Sequence, residues 1–265
     1  MKRTKINLNE KTMNTFEQDY KNLLYKALSW GEKKPNRTGV DTLSLFNESM
    51  NIDISECFPI VTSKKIYFEK GLAEYNWIAQ GLSKLNYLHD HGIKWWDEFA
   101  DSTGDVGKTY GYQLRNFNGE IDQLATVYNE IRDNTRRAHI TFWNPSELNQ
   151  TKLPPCYTGM TFHRINSRLN MSLQLRSSDL FLGLPYDIIV GALFLIDTAK
   201  FMDLKPGVLG LQITDAHIYE NHISVVKEYL DRSMFPSPKL ITFADGKREL
   251  YSYRHHGYMP AKLNN

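Results

Sequence analysis

Apolar residues recur along this chain at two spacings, and the spacings divide it into helices and strands. Phe16, Tyr20, Leu23, Leu24, Ala27 and Leu28 share one stripe of a 3.6-residue repeat, predicting an amphipathic helix over Asn14 to Trp30. Asn14 can cap that helix with Glu17 three residues on, and Gly31 ends it. Leu43 to Ile54 alternates in two pieces, Leu43 with Leu45 and Met50 with Ile52 and Ile54, which predicts strands. Gly71 to Ala79 predicts a helix stopped by Gly81, and Ile121, Leu124, Tyr128 and Ile131 mark another. Ile140 and Phe142 suggest a short strand. Met160 to Ile165 and Leu169 to Arg176 predict the arms of a hairpin around Asn166-Ser167-Arg168. Ile188 to Met202 starts apolar on nearly every side, the mark of a buried helix. Leu209, Leu211 and Ile213 mark a strand, and Leu240 to Phe243 another. Hairpins mixed with helices give an α+β class, a mixed or antiparallel sheet with packed helices. No break in composition divides residues 1–265, so a single domain is expected.

Composition narrows the setting. The 265 residues are 41% hydrophobic and 23% charged, ordinary for a globular chain able to bury a core without disulfides. A net charge of +2 leaves anion recognition to a few placed arginines rather than to a global field. Two cysteines, Cys57 and Cys156, suit a reducing compartment, and a cytoplasmic location is expected. The longest apolar run, Ile188 to Ile196, is far short of a membrane span, and polar Met1 to Glu10 is unlike a signal peptide. No cysteine or histidine spacing predicts a metal site, and neither a Walker A nor a Rossmann glycine pattern occurs.

Several residues could carry chemistry. Cys156 follows two prolines in Leu153-Pro154-Pro155-Cys156 and stands just before a predicted strand. A lone thiol is often a small buried hydrophobe; as a nucleophile it needs cationic neighbours, for which Arg136, Arg137 and Arg176 are candidates. Arg37, the Arg136-Arg137 pair and Arg176-Ser177 lie at element ends, where solvated charge and phosphate binding both fit the pattern. Without a glycine-rich cradle, the phosphate would be a monophosphate held by side chains. Glu74 interrupts the apolar helix, either as its solvent face or as a buried carboxyl of raised pKa suited to proton relay. His217 and Tyr219 are two apart, so a strand puts them on one face, as a polar core pair or a sugar-hydroxyl site.

Together these segments resemble the thymidylate synthase family from about Leu23 to about Lys262. The resemblance is carried by Asn36-Arg37-Thr38-Gly39, by Phe58-Pro59-Ile60-Val61-Thr62-Ser63-Lys64-Lys65, by Leu153-Pro154-Pro155-Cys156, and by Arg176 to Asp187; Asp215 to Tyr219 with Asn221-His222 completes it. It implies an α+β homodimer whose sites are completed by Arg136 and Arg137 of the partner chain. It implies that Arg37, Arg136, Arg137, Arg176 and Ser177 bind a nucleotide 5′-phosphate, and that His217 and Tyr219 bind the ribose 3′-hydroxyl. Cys156 would add to C6 of the pyrimidine. Glu74 would steer proton transfers, Tyr110 would help remove the C5 proton, and Trp96 and Asp179 would line the site of 5,10-methylenetetrahydrofolate. No metal is implied.

The chain departs from the family pattern at informative places. Tyr157 stands where the synthases usually carry His, Leu175 where they carry Gln, Ser178 where they often carry Cys, Leu114 where they carry Trp, and Thr214 where they carry Gly. Asp187 replaces the Asn that reads uracil, and Lys262-Leu263-Asn264-Asn265 is polar where the family has a short apolar tail. These substitutions point to dCMP rather than dUMP, and to 5-hydroxymethylation with water ahead of methylation. A dUMP-directed enzyme and a dCMP methyltransferase are the neighbouring alternatives. A degenerate nucleotide- or RNA-binding module is the non-enzymatic one, disfavoured because a pure binder has no use for Cys156 and Glu74.

Overall fold

The structure, a computed structural model, describes residues 15–264. Its centre is a mixed sheet in the order β1 (Glu32–Lys34), β2 (Thr42–Asp53), β7 (Lys205–Tyr219), β5 (Arg168–Leu175), β4 (Tyr157–Ile165) and β3 (His139–Thr141). A two-residue strand, β6 (Ser178–Asp179), pairs with the end of β7. The longest seam is antiparallel, running from Thr42 opposite Tyr219 to Asp53 opposite Val208. β5 and β7 are parallel, which demands a crossover, and α6 (Leu184–Phe201) supplies it. The hairpin of β4 and β5 closes with Ile165 opposite Arg168, so the turn is one residue tighter than Asn166-Ser167-Arg168. Asn166 takes the left-handed conformation (φ 53°) that such a turn needs.

The two pieces expected over Leu43 to Ile54 form one continuous strand. Leu45 and Met50 are both buried although five apart, which a strict two-residue alternation forbids. Between them Asn47 has φ 59°, and its conformation changes the face that the strand presents. Strand β7 changes face at the same level, from Leu209, Leu211 and Ile213 to Ala216 and Ile218, and thereby carries His217 to the end of the sheet.

α6 decides where the other layers go. Nearly every residue from Ile188 to Leu195 is inaccessible to solvent, so the helix must be covered on all sides. Gly191 lets it approach the sheet: a Cβ there would touch Leu209 and Leu173 at 3.3 and 3.4 Å. On its other side α2 (Phe68–Ala79) crosses closely at Gly71, where a Cβ would come within 2.8 Å of Ile189. α2 ends as expected before Gly81, whose φ of 75° favours glycine. The helix marked by Ile121 to Ile131 begins later, as α5 (Gln123–Arg132), capped by Asp122 accepting from the Ala125 N–H. Three short helices had no clear periodic signal: α3 (Asn86–Asp90), α4 (Tyr110–Asn116) and α7 (Ile223–Asp231). The expected strand at Leu240 becomes β8 (Lys239–Thr242), paired with β9 (Arg248–Tyr251) apart from the main sheet. No helix among the described residues is long and apolar enough to cross a membrane.

α1 (Thr15–Trp30) matches its predicted span, while its capping by Asn14 lies outside the described residues. Glu17 is fully buried rather than at a helix surface. Its Oε1 accepts from the Ser63 N–H at 2.7 Å and the Tyr229 hydroxyl at 2.6 Å, and its Oε2 accepts from the Thr62 N–H at 2.8 Å. One carboxyl thus ties α1, α7 and the 58–66 segment together. Removing it strands several buried donors, each costing roughly 1–3 kcal/mol. Glu17→Leu should lower unfolding stability in urea by at least about 3 kcal/mol, and Tyr229→Phe by only about 1 kcal/mol; equal losses would show that the junction does not centre on Glu17.

Candidate active site

Cys156 is placed by the two prolines before it and by β4 after it. The Arg176 guanidinium is braced against this approach, its Nε donating to the Pro155 carbonyl at 3.0 Å and its Nη2 to the Pro154 carbonyl at 2.8 Å. That bracing sets Nη2 3.9 Å from Sγ, while the Arg176 N–H donates to the Cys156 carbonyl. Trp143 lies under the guanidinium, 5.9 Å from ring centre to charge. Tyr110, on α4, accepts the Cys156 N–H at 2.7 Å. Burial pushes the thiol pKa up; Arg176 opposes this, Asp187 adds to it, and Tyr110 and Arg37 pull it down. A cationic neighbour is therefore present, while the residue as a whole is only partly buried.

Glu74 sits on α2 and is buried, which settles its position in favour of the interior. One carboxyl oxygen accepts the Trp96 indole N–H at 2.7 Å and the Trp95 N–H at 3.3 Å. Burial raises its pKa, and the two indole hydrogen bonds only partly offset that. Trp96, expected against the folate, is itself buried and packs edge-on to Tyr110. Its neighbour Trp95 is half-buried and packs at a tilt against Tyr186, ring centres 5.3 Å apart, offering the more open aromatic face.

Asp187 lies in the first turn of α6, just after Pro185. Its Oδ1 accepts the Tyr157 hydroxyl at 2.9 Å and its Oδ2 accepts the Ser178 hydroxyl at 3.1 Å. Burial, with Glu74 and Asp179 adding to it, carries its pKa up to about 7 against the pull of those two hydroxyls. Three of the departures from the family pattern therefore meet in one hydrogen-bonded group. Of the others, Leu114 and Leu175 are buried core residues, and Thr214 is an exposed position on β7.

The polar candidates occupy the rim. Arg37 is exposed in a loop where the Asn36 side chain accepts from the Thr38 N–H at 2.9 Å and donates to the Val40 carbonyl at 2.7 Å. Arg37 acts electrostatically on both Cys156 and Tyr219, which brings it to the same site. Ser177 follows Arg176 between β5 and β6 and is half-buried. His217 and Tyr219 share the end of β7 with ring centres 5.2 Å apart. Arg136 and Arg137 stand apart, exposed between α5 and β3; the Arg137 side chain is 78% exposed and pairs with nearby Glu130 at 3.4 Å. Asp179 closes the turn into α6, its Oδ1 accepting the Phe181 N–H at 2.9 Å and the Leu182 N–H at 3.2 Å.

Several contacts had no signal in the sequence. Trp95 as a second donor to Glu74, Trp143 under Arg176, and the paired hydroxyls on Asp187 join residues far apart in the chain. Segment 262–264 is another case: the buried His222 Nε2 donates to the Lys262 carbonyl at 2.7 Å, and the Asn221 and Asn264 side chains exchange hydrogen bonds. Among the described residues, no group of three or more His, Cys, Asp or Glu is arranged to hold a metal ion. Trp95 and Tyr186, both half-buried with ring centres 5.3 Å apart, offer an aromatic face suited to a flat heteroaromatic ligand.

The electrostatic balance at Cys156 can be tested without substrate. In a Cys57→Ser background, Arg176→Ala should raise the Cys156 pKa further. Its alkylation by iodoacetamide near neutral pH should then slow by about three- to tenfold, in step with the smaller thiolate fraction. An unchanged rate–pH profile would mean that Arg176 does not govern the thiol. In comparison with known families, the model described as thymidylate synthase matches residues 18–259, nearly the whole chain.

Proposed function

The chain belongs to the thymidylate synthase family, whose chemistry is folate-dependent one-carbon transfer to a pyrimidine nucleotide, and from that premise we propose that it is a deoxycytidylate 5-hydroxymethyltransferase. Family membership carries the coarse activity. The observation that carries the finer reading is the Tyr157–Asp187–Ser178 group beside Cys156. We propose further that the protein acts in the cytoplasm, as one domain spanning residues 1–265.

In this reading Cys156 Sγ bonds to C6 of the pyrimidine, and the ring's electron density moves to C5, turning an unreactive carbon into a nucleophile. Arg176 favours the thiolate before attack and, with Arg37 and Ser177, holds the 5′-phosphate. His217 and Tyr219 hold the ribose 3′-hydroxyl. Tyr110, fixed by the Cys156 N–H, faces the C5 proton that must leave. 5,10-Methylenetetrahydrofolate, when bound, supplies a one-carbon unit at the oxidation level of formaldehyde. Trp95, Trp96, Tyr186 and Asp179 are the residues that would hold it. Glu74, buried and of raised pKa, is poised to exchange protons with water.

Asp187 is the proposed base reader. A carboxyl that shares one proton can donate to N3 and accept from N4–H₂ together, matching cytosine. Its pKa near 7 keeps that proton available around neutral pH. The product follows from which species reaches the new exocyclic carbon: water gives hydroxymethyl, a hydride gives methyl. The polar lining formed by Tyr157, Asp187 and Glu74 favours water.

These assignments are tested by the choice of base, by the product and by loss of the thiol. Offered separately with methylenetetrahydrofolate, dCMP should be preferred over dUMP by about ten- to a hundredfold. The product should carry a hydroxymethyl group by mass, with no dihydrofolate formed, and Cys156→Ser should lose C5 tritium release. Stoichiometric dihydrofolate would replace hydroxymethylation by methylation, and better turnover of dUMP would refute the base assignment. The exposed Arg136 and Arg137 fit a homodimer in which each chain completes its partner's phosphate site. Mixing inactive Cys156→Ser and inactive Arg137→Ala chains should then restore about a quarter of the activity, from random pairing into dimers with one intact site. Monomeric sedimentation at assay concentration would exclude that arrangement.

A further inference from the structure

Asp187 alone does not choose between the two bases. With its proton on the oxygen facing N3, a neutral carboxyl donates to cytosine N3 and accepts from N4–H₂. With the proton on the other oxygen, it accepts from uracil N3–H and donates to O4. Ionised, it makes one good contact and one lone-pair repulsion with either base. Specificity therefore requires something that makes the two oxygens unequal.

The structure contains such an inequality. Oδ1 accepts from a phenol at 2.9 Å and Oδ2 from a serine hydroxyl at 3.1 Å. A phenol is the more acidic donor, and this one has little freedom. The Tyr157 ring is buried, set edge-on to Tyr110 at 5.2 Å and to Phe142 at 6.1 Å. Its hydroxyl turns only within the ring plane, whereas the Ser178 hydroxyl rotates freely about its Cβ–Oγ bond. An oxygen that receives a fixed, strong donor is the poorer place for a proton.

We propose that Asp187 meets the base with Oδ1 toward the C4 substituent and Oδ2 toward N3, and that Tyr157 is a specificity-determining positioning residue: by donating to Oδ1 it keeps that oxygen an acceptor for N4–H₂ of cytosine and leaves the proton to Oδ2, which presents it to N3. Uracil needs the reverse arrangement, with a proton on Oδ1 aimed at O4, and the Tyr157 hydrogen bond disfavours it. Ser178 accommodates either state of Oδ2. The proposal rests on Asp187 facing the base, as argued above. The other titratable groups around Asp187 are Glu74 from α2, Tyr110 from α4, Cys156 at the start of β4 and Asp179 from β6. None of these distinguishes one carboxyl oxygen from the other by a hydrogen bond, among the described residues.

The test compares kcat/KM for dCMP and dUMP by C5 tritium release, over about pH 6–9, in four proteins: the unmodified chain, Tyr157→Phe, Ser178→Ala and Asp187→Asn. Tyr157→Phe keeps the packed ring and removes only the donor. It should lower the dCMP:dUMP ratio by about tenfold or more, partly through faster dUMP turnover. The high-pH loss of dCMP activity should also move upward, because one donor that favours the ionised carboxyl has gone. Ser178→Ala should leave the cytosine preference intact. If Tyr157→Phe slows both substrates equally and leaves the pH limb in place, the hydroxyl is merely structural and the proposal is overturned. The same follows if Ser178→Ala erases the preference as strongly as Tyr157→Phe does. Base reading by Asp187 is judged separately: Asp187→Asn should shift preference toward dUMP, and an unchanged ratio in that variant would remove the premise.

Discussion

The architecture depends on the burial of one apolar helix. α6 has almost no polar residue between Ile188 and Leu195, so its stability comes from being covered on every side. The sheet covers one side through Leu173 and Leu209, and α2 covers another through Gly71. Two consequences bear on chemistry. α2 must lie against α6, which puts Glu74 in the interior. The first turn of α6 must point along the edge of the sheet where β4 starts, which puts Asp187 beside Tyr157 and Cys156. The polar site is thus assembled by apolar packing, and its members come from segments with no local relation to one another.

The same burial explains the site's electrostatics. Cys156, Glu74, Asp187 and Tyr110 all have pKa values pushed up, and in each case loss of water is the first cause. What separates them is the compensation each receives. Glu74 has two indole N–H groups, Asp187 has two hydroxyls, and Cys156 has the guanidinium of Arg176, itself held by proline carbonyls that Cys156 follows in the chain. Groups pushed in one direction are thus offset by different partners, as the proposed division into proton carrier, base reader and nucleophile requires.

Much of this is legible in the sequence, for physical reasons that differ from case to case. α1 and the β4–β5 hairpin announce themselves because their periodicity is local and long enough to be unambiguous. The kink at Asn47 is visible as a broken alternation, though not as a single strand, because the pairing partner that keeps the strand continuous lies on β7. α4 escapes notice because Tyr110 to Asn116 mixes faces over too few turns to show a period. Candidate residues stand out through family motifs, and the structure draws Cys156, Arg176, Tyr110, Glu74 and Asp187 into one region. Arg136 and Arg137 remain apart from it within the chain. What no linear pattern shows is which hydroxyl meets which oxygen. Tyr157, Ser178 and Asp187 stand out one by one as departures, and only three-dimensional contact joins them.

The long seam between β2 and β7 has a consequence for how the molecule comes into being. It joins Thr42 to Tyr219, so the central ladder of the sheet has no second side until residues 205–219 have left the ribosome. β5 waits for the same strand, and its parallel partnership requires α6 to be laid across first. Pairings between such distant residues form slowly, since a long loop must be closed before any contact repays the lost entropy. Cys156 is therefore synthesised well before the framework that will shelter it. Until then Cys156 lacks the burial that raises its pKa and the Arg176 charge that opposes it, so its reactivity is set by the finished fold and not by the local sequence.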